Sequence, residues 1–509
     1  MKAENTVKIL DKVLEFSQSK GLFNCGVIVV GLSGGPDSVA LLHILKGLKN
    51  SSDISCDIYA LHCNHHLRPG VCDEEAELVK QLCKDIDVEL KVLDFDCKGF
   101  AELNHISEET AGRVLRYEAF EQYAKALEKK TGKDVKIAIA HHKDDIAETM
   151  MMNLFRGSGL EGLVNPKAVN GRIIRPLLCL KKSELTGYLD DLGVRYAIDQ
   201  TNLSTDGTRN TWRNDILPKI GGFYNEDPSV PLSRTYNLLS TDLDYVSRAA
   251  GESYSSNRKY LSGHPYLAAS SVSDLHPAMK SRCVRSLWLE TFGSLTDFEE
   301  SNLRDCYELL ANVPQGEAFL DMPFDRKAYR YGDIFAFGTS GSIRSFAGSI
   351  AERMGFFATE GPVELEIPLP LSDETEIKIP GSPYILKARR IENTGELEYN
   401  NHSWFCPIEA LAGGKITLGN IGGTGSALRM KKAGSKGSKE LNRLMTDLKI
   451  PESARAQILF VKKDGDILWL PGFGHGVGFT NAVSFERYTA SGQGGDRSGA
   501  FVMITVERQ

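Results

Sequence analysis

No stretch of this sequence approaches the roughly 20 consecutive apolar residues that a membrane-crossing helix needs. The opening MKAENTVKILDKVLEF sets Glu4, Asp11 and Glu15 among its apolar residues. It has neither the unbroken apolar core of a secretory signal nor the Arg-rich, acid-poor make-up of a transit peptide, so a cytoplasmic protein without membrane contact is expected. A large excess of one charge is also missing: 60 Lys and Arg against 67 Asp and Glu leave a net charge of −7. That argues against a generic nucleic-acid coat and leaves room for a local basic patch. Ten cysteines are too few for a disulfide frame in a chain this long and are expected as reduced thiols. No two stand at C-x-x-C spacing, and the group Cys56, His62, Cys63, His65, His66 and Cys72 matches no standard zinc ligand set. A composition of 41% hydrophobic and 25% charged residues excludes wholesale disorder, collagen and coiled coil. At roughly 150 residues per domain the length gives about three domains.

The first 220 or so residues alternate short β-rich runs with helical stretches. Strands are expected at Gly26–Gly31, Ile58–Cys63, Glu89–Phe95, Val135–Ala140 and Arg172–Leu177. Leu41, Leu42, Leu45 and Leu48 repeat at helical spacing between the first two. Such alternation implies an α/β fold with a Rossmann-like parallel sheet covered on both faces. A turn-rich break follows at Gly221–Pro228. Beyond it a mostly helical middle domain is expected over 229–345, with a helical stripe of Leu238, Leu239, Leu243 and Val246, a strand pair at Phe319–Phe337 and a flexible joint at Gly338–Gly341. A small β-rich α+β domain over 360–509 completes the chain, with one basic, helix-compatible segment near Lys436–Lys449 and a mobile loop at Ser491–Ser498.

The sharpest chemical signal is Ser33-Gly34-Gly35-Pro36-Asp37-Ser38, set between the GVIVVG strand and the following helix. Two glycines let successive N–H groups turn into one concavity. Pro36 favours a helix start, and the helix N-terminus adds partial positive charge. The result is a phosphate cradle with hydroxyls from Ser33 and Ser38. The Lys that grips the β/γ phosphates in a Walker A loop is missing, which suits a pyrophosphate leaving group better than γ-phosphoryl transfer.

Two further polar clusters, Asn64–Arg68 and His141–Thr149, also follow expected strands directly, and strand carboxyl ends in an open α/β sheet line one crevice. A helix starting near Asp144 puts Asp145, Glu148 and Thr149 on one face. Such carboxylates can hold Mg²⁺ beside a triphosphate or take a proton from an attacking amine, with His141 or His142 able to share that duty. The same residues can equally cap a helix, Asp144 or Asp145 at the N-cap and Glu148 closing a capping box. Arg113, Arg116, Arg175, Arg209 and Arg213 are candidates for gripping phosphates or a polarised carbonyl, since a planar guanidinium binds oxyanions in two places at once. Near the C-terminus Arg429, Lys431, Lys432, Lys436, Lys439, Arg443, Lys449 and Arg455 face few acids, which reads as a nucleic-acid footprint or a solvated basic face.

SGGPDS resembles the PP-loop signature of the ATP pyrophosphatases, and further strings narrow the resemblance to the tRNA(Ile)-lysidine synthetase family. They are His62–Arg68 (HCNHHLR), Glu109–Tyr117 (ETAGRVLRY, with Gly112 where Ala is usual), His141–Thr149 (HHKDDIAET) followed by Arg156-Gly157, Arg175–Leu178, Asp199 with Asn202, and Arg209–Arg213 (RNTWR, with Trp212 where a β-branched residue is more usual). The resemblance is strong over the first 220 residues, and returns weakly at Lys439–Arg455. It implies an ATP- and Mg²⁺-dependent ligase that adenylates the C2 oxygen of the wobble cytidine in the CAU anticodon of an isoleucine tRNA. Free L-lysine then displaces AMP, giving lysidine, so that the tRNA reads AUA. On this reading Ser33, Gly34, Gly35, Pro36, Asp37 and Ser38 hold ATP, and Asp37, His142, Asp145, Glu148 and Arg113 are catalytic. Asp37 and Asp145 are the Mg²⁺ ligands, and Arg209, Arg213, Lys436, Lys439 and Arg443 bind the tRNA; a homodimer is compatible with the sequence. A PP-loop tRNA thiolase is the main alternative, against which the absence of C-x-x-C counts. A small-molecule PP-loop ligase and a non-catalytic RNA binder leave the basic tail and the paired motifs, respectively, unexplained.

Overall fold

The computed structural model describes every residue except 1, 67–69, 198–207, 313–315, 369–373, 393–401, 412–413, 425–427, 432–437, 464–465 and 473–499. Contacts divide the chain into two compact units, Met1–Val246 and Ser247–Gln509. Arg68, Asp199, Asn202, Lys432, Lys436 and the Ser491–Ser498 loop lie outside the described residues.

The first unit runs α1 (Lys2–Ser19), β1 (Val27–Gly31), α2 (Pro36–Asn50), β2 (Asp57–Asn64), α3 (Val71–Asp85), β3 (Glu89–Asp94), α4 (Cys97–Asn104), α5 (Glu108–Thr131), β4 (Val135–Ala138) and α6 (Lys143–Phe155). After α7 (Leu160–Leu163), β5 (Val169–Asn170) and β6 (Ile173–Ile174) come α8 (Lys182–Leu192), α9 (Thr208–Thr211), a π-helical turn at Trp212–Ile216, α10 (Leu217–Tyr224) and α11 (Ser229–Asn257), within which the division falls. The strands form one sheet in the order β3-β2-β1-β4-β6-β5, parallel except for the β5–β6 pair.

The alternation of β1 explains its central place. Ile28 and Val30 join a core with Leu41, Leu42 and Leu45 of α2 and Leu185 and Leu189 of α8. Val27 and Val29 join Phe120, Ala124 and Leu127 of α5 on the other face. A strand buried on both faces needs this continuous apolar run. The last expected strand is cut to Ile173–Ile174, because Pro176 has no N–H to donate and opens a 3₁₀ turn at Pro176–Cys179. The order of the sheet reverses at β1 and β4, so the loops leaving these two strands border the crevice where such sheets bind ligands.

Among its described residues the second unit holds three sheets. Arg258–Leu261, His264–Ala268, Ile334–Thr339, Arg326–Tyr331 and Glu317–Met322 form a five-stranded antiparallel sheet in that order. The helices Pro277–Phe292 and Glu300–Ala311 cover it through Trp288, Leu287 and Leu303. A six-stranded and a four-stranded sheet lie further along the unit, the latter built around Tyr384–Ile391 and Phe501–Arg508.

Three local expectations change. The strand pair at Phe319–Phe337 is part of three strands. The flexible joint at Gly338–Gly341 is instead a strand end and a helix start, with Thr339 capping Ser340–Arg353 by accepting from the Ser342 N–H. Gly221 and Gly222 lie inside α10, and the turn comes only after Tyr224. Of the expected stripe, Leu243 is buried but Leu238 is 65% exposed. Among the described residues no helix is long and apolar enough to cross a membrane.

Candidate active site

The SGGPDS loop turns sharply because Gly34 takes φ +91°, a conformation L side chains rarely adopt. Ser38 locks the turn: its Oγ accepts from the Ser33 N–H at 3.1 Å and donates to the Gly35 carbonyl at 3.0 Å. Pro36 and Asp37 then open α2, whose first N–H groups have no partner within the helix. Asp37 faces the crevice with Oδ1 buried and without a hydrogen-bond partner.

The loop leaving β4 delivers the second half of the site. His142 caps α6, and its N–H donates to Asp145 Oδ2 at 2.9 Å. The capping box therefore joins His142 to Asp145, earlier than the form read from the sequence, which had Asp144 or Asp145 at the N-cap and Glu148 closing the box. His142 is 1% exposed, with Nε2 3.7 Å from Asp37 and 3.5 Å from Asp145. Its Nδ1 lies 3.2 Å from Asp144, a charge contact rather than an aligned hydrogen bond. Burial alone would lower its pKa, but Asp145, Asp144 and Asp37 outweigh burial and hold it up at about 10. His142 is thus an imidazolium at neutral pH, a cation amid three carboxylates. Asp144 moves the other way, to about 2: burial opposes ionisation, and His142 and the Lys182 N–H overcome it.

Asp145 and Glu148, three residues apart on α6, share one face, and two arginines meet them. Arg209 reaches Glu148 through Nε at 2.8 Å and Asp145 through Nη2 at 2.9 Å. Arg213 grips both oxygens of Glu148, at 2.5 and 2.9 Å, and touches Asp145 at 3.3 Å. Both arginines were expected to bind tRNA; here they are held by the carboxylates. They are four residues apart, across α9 and the π-helical turn, so they present their side chains together.

Arg113 lies outside this cluster. Its guanidinium stacks over Tyr117, 5.1 Å from the ring centre. Tyr117 in turn engages Arg175, whose Nε donates to His141 Nδ1 at 2.7 Å. That bond leaves the proton of neutral His141 on Nε2, and burial holds its pKa down at about 4. Two histidines of the HCNHH segment brace the surrounding fold. Buried His62 donates through Nδ1 to the Leu32 carbonyl at 2.8 Å, tying β2 to the start of the phosphate loop. His65 lies between Arg116 and Cys97, at 3.0 and 3.2 Å. A methyl group at Gly112 would meet His65 and Cys97 at 3.7 Å, ordinary contact, so the alanine usual there would fit.

Sequence reasoning missed the cavity beside the cluster. It measures about 530 Å³, and its lining includes His142, Asp144, Glu148, Lys182 and Arg213 together with Asn225, Glu226, Asp227 and Ser229. Its outer wall comes from the segment read only as a turn-rich break, where the density of polar residues was the one available signal.

A parallel sheet with a lysine-free glycine loop after its first strand and a carboxylate–arginine cluster at the same crevice is the architecture of a PP-loop domain. The family model described as a PP-loop domain matches residues 5–220, and one described as the TilS substrate C-terminal domain matches 424–485. The chain belongs to the tRNA(Ile)-lysidine synthase family. The tRNA(Ile)-lysidine synthase of Clostridium acetobutylicum is 30% identical over 448 residues, covering 88% of this chain and 90% of that one. The one from Caldanaerobacter subterraneus subsp. tengcongensis is 29% identical over 448 residues, with 88% and 89% covered. Among solved structures, the U34-tRNA thiolase NcsA from Methanococcus maripaludis, with its [4Fe-4S] cluster, is 19% identical with a TM-score of 0.38. That match covers 46% of this chain and 79% of the thiolase chain.

Proposed function

We propose that the SGGPDS loop and the His142–Glu148 cluster form one catalytic centre, in which the two half-reactions of lysidine synthesis take place. As a member of its family the chain is an ATP-dependent ligase that forms lysidine on isoleucine tRNA. The observation that carries the site assignment is the 3.7 Å approach of His142 to Asp37, which joins the loop after β1 to the cluster after β4.

In the first half-reaction the C2 oxygen of the wobble cytidine attacks the α-phosphorus of ATP and pyrophosphate leaves. The N–H groups at the start of α2 and the Ser33 and Ser38 hydroxyls receive the phosphates. The imidazolium of His142 and the two arginines supply positive charge where the pentavalent phosphorus and the departing pyrophosphate gather negative charge. In the second half-reaction the ε-amine of free L-lysine attacks C2, the bond to AMP breaks, and the amine's proton passes to a carboxylate. His142 already carries its proton and both oxygens of Glu148 are held by arginines, so Asp37, through the oxygen that does not hold the cation, is the acceptor at hand.

Mg²⁺ fits Asp37, whose buried Oδ1 has no partner, better than Asp145, whose oxygens are taken by His142, Arg209 and Arg213. A cation beside a triphosphate takes most of its ligands from phosphates and water, so a single carboxylate such as Asp37 is enough protein ligand. Bound there it would neutralise charge on the leaving pyrophosphate.

Lysine belongs in the cavity. Glu148 lines it, Glu226 suits the α-ammonium and Lys182 suits the α-carboxylate, while Asp227 already pairs with Lys181. The test is incorporation of radiolabelled lysine into an isoleucine tRNA transcript with a CAU anticodon. Incorporation should require ATP and Mg²⁺ and vanish when the wobble C is replaced by U. Glu226→Gln should raise the KM for lysine without moving that for ATP; an unchanged lysine KM would place the amino acid elsewhere. We place this reaction in the cytoplasm.

A further inference from the structure

Trp212 is 9% exposed and sits on Ala147, Met151 and Met152 of α6. On it lies the ring of Phe155, 5.3 Å centre to centre and tilted by 41°. Phe155 itself is 73% exposed. A single exposed aromatic is ordinary on a protein surface, so exposure carries nothing alone; the placement does. Phe155 follows Glu148 by seven residues on α6, which puts it on the same helix face about 10 Å further along. Its support, Trp212, directly precedes Arg213, whose guanidinium holds Glu148. The ring pair and the carboxylate–arginine cluster therefore share both of their elements and are fixed to each other. Leu154 and Arg156 beside Phe155 are exposed too, and Arg156 makes no ion pair among the described residues. The outer face of Phe155 is thus a flat apolar surface next to an unneutralised guanidinium, about two turns of helix from Glu148.

We propose that Phe155, backed by Trp212, is a stacking platform for the nucleobase adjoining the wobble cytidine, and that Arg156 meets a phosphate of the same stretch of anticodon loop. The occupant follows from chemistry and continuity. Sequence-specific RNA binding targets single-stranded loops whose unstacked bases find aromatic faces, and the substrate loop must lie within one nucleotide or so of the cluster while its cytidine reacts. A base splayed into the crevice loses stacking with its neighbour, and a ring at this distance replaces it. Phe155 is a substrate-positioning residue on this view and takes no part in proton or phosphoryl transfer. The proposal rests on the placing of the reaction at the His142–Glu148 cluster.

The experiment measures KM for tRNA, KM for ATP and kcat in Phe155→Ala, Phe155→Leu and Phe155→Tyr, with Glu148→Gln assayed alongside. Loss of base–aromatic stacking corresponds to about 5- to 150-fold, so Phe155→Ala and Phe155→Leu should raise the tRNA KM by about tenfold or more with the ATP KM unmoved. Phe155→Tyr should restore it, because tyrosine keeps the π face. Arg156→Gln should lower the slope of log affinity against log salt by about one. Leucine still covers Trp212, so a Phe155→Leu enzyme with the wild-type tRNA KM would mean packing only and would overturn the proposal, as would three variants all within twofold of wild type. A Glu148→Gln enzyme with full turnover would instead overturn the site assignment, whatever Phe155 does.

Discussion

Arg213 meets Glu148 side-on, with Nε 2.5 Å from Oε1 and Nη2 2.9 Å from Oε2. Glu148 is 1% exposed, so the fork both neutralises a buried carboxylate and fixes its plane. A lysine carries the same charge but has no fork to match the two oxygens. Arg213→Lys is expected to lower kcat/KM for lysine transfer at least tenfold while leaving ATP binding in place. Glu148→Ala is a poorer probe, because stranding two arginines without their carboxylate costs about 3–5 kcal/mol by itself. Steady-state incorporation with Arg213→Lys decides the matter, and a wild-type rate would reduce the pair to a structural contact.

Gly34 supplies a second prediction. At φ +91° an alanine there is strained, and its Cβ would stand 3.3 Å from Val79 Cγ2. Left-handed backbone costs a non-glycine residue about 1–2 kcal/mol, and the loop can relieve that strain only by opening the cradle. Gly34→Ala should raise the KM for ATP by about tenfold or more and lower Tm by a few degrees. ATP titration followed by nucleotide-dependent thermal shift measures both; an unaltered KM would mean that the phosphates do not lie on this turn.

The α/β half of the molecule was legible because its signals are local. β1 reads as a continuous apolar run, and SGGPDS and HHKDDIAET follow their strands directly in sequence. What escaped was set by contacts across sequence. Arg209 and Arg213 read as candidates for contact with phosphate or tRNA, and only the fold reveals Asp145 and Glu148 against them, over 60 residues earlier in the chain. The proton on His142 was equally hidden, since an isolated imidazole titrates near neutrality and only three converging carboxylates raise it. The cavity went unseen because Asn225–Ser229 carries the composition of a turn, whether or not that turn walls a pocket. Gly338–Gly341 misled for the opposite reason: two glycines signal flexibility, yet the Thr339 cap makes them a strand-to-helix corner.

The charge state of His142 makes stability depend on pH in a defined window. Its pKa is about 10 in the fold against 6.5 ordinarily, so its stabilisation is fully present below about pH 6.5 and is lost as pH rises through 10. Asp144, at about 2 against 3.8, contributes above about pH 4 and loses that contribution as pH falls through 2. The Tm difference between wild type and His142→Gln should therefore be largest near pH 6 and shrink steadily toward pH 10. A difference independent of pH across that range would show that His142 is held neutral, and would return it to the set of available bases.

The basic C-terminal stripe divides on inspection of its partners. Lys439 is ion-paired with Asp447, whereas Arg443, on the helix Leu441–Asp447, is exposed. Lys436 lies outside the described residues. A cation that already has a counter-charge releases fewer ions when it meets a phosphate, so the two positions should differ in salt dependence and not only in affinity. Arg443→Glu should weaken tRNA binding and cut the slope of log Kd against log salt by about one, and Lys439→Glu should cut it by less. Filter binding of the isoleucine tRNA between 50 and 200 mM salt, concentrations at which phosphate contacts separate by roughly decades of affinity, reads both. Equal slopes for Arg443→Glu and wild type would make this stripe a solvated face, and the positive charge that holds the tRNA would have to come from elsewhere on the chain.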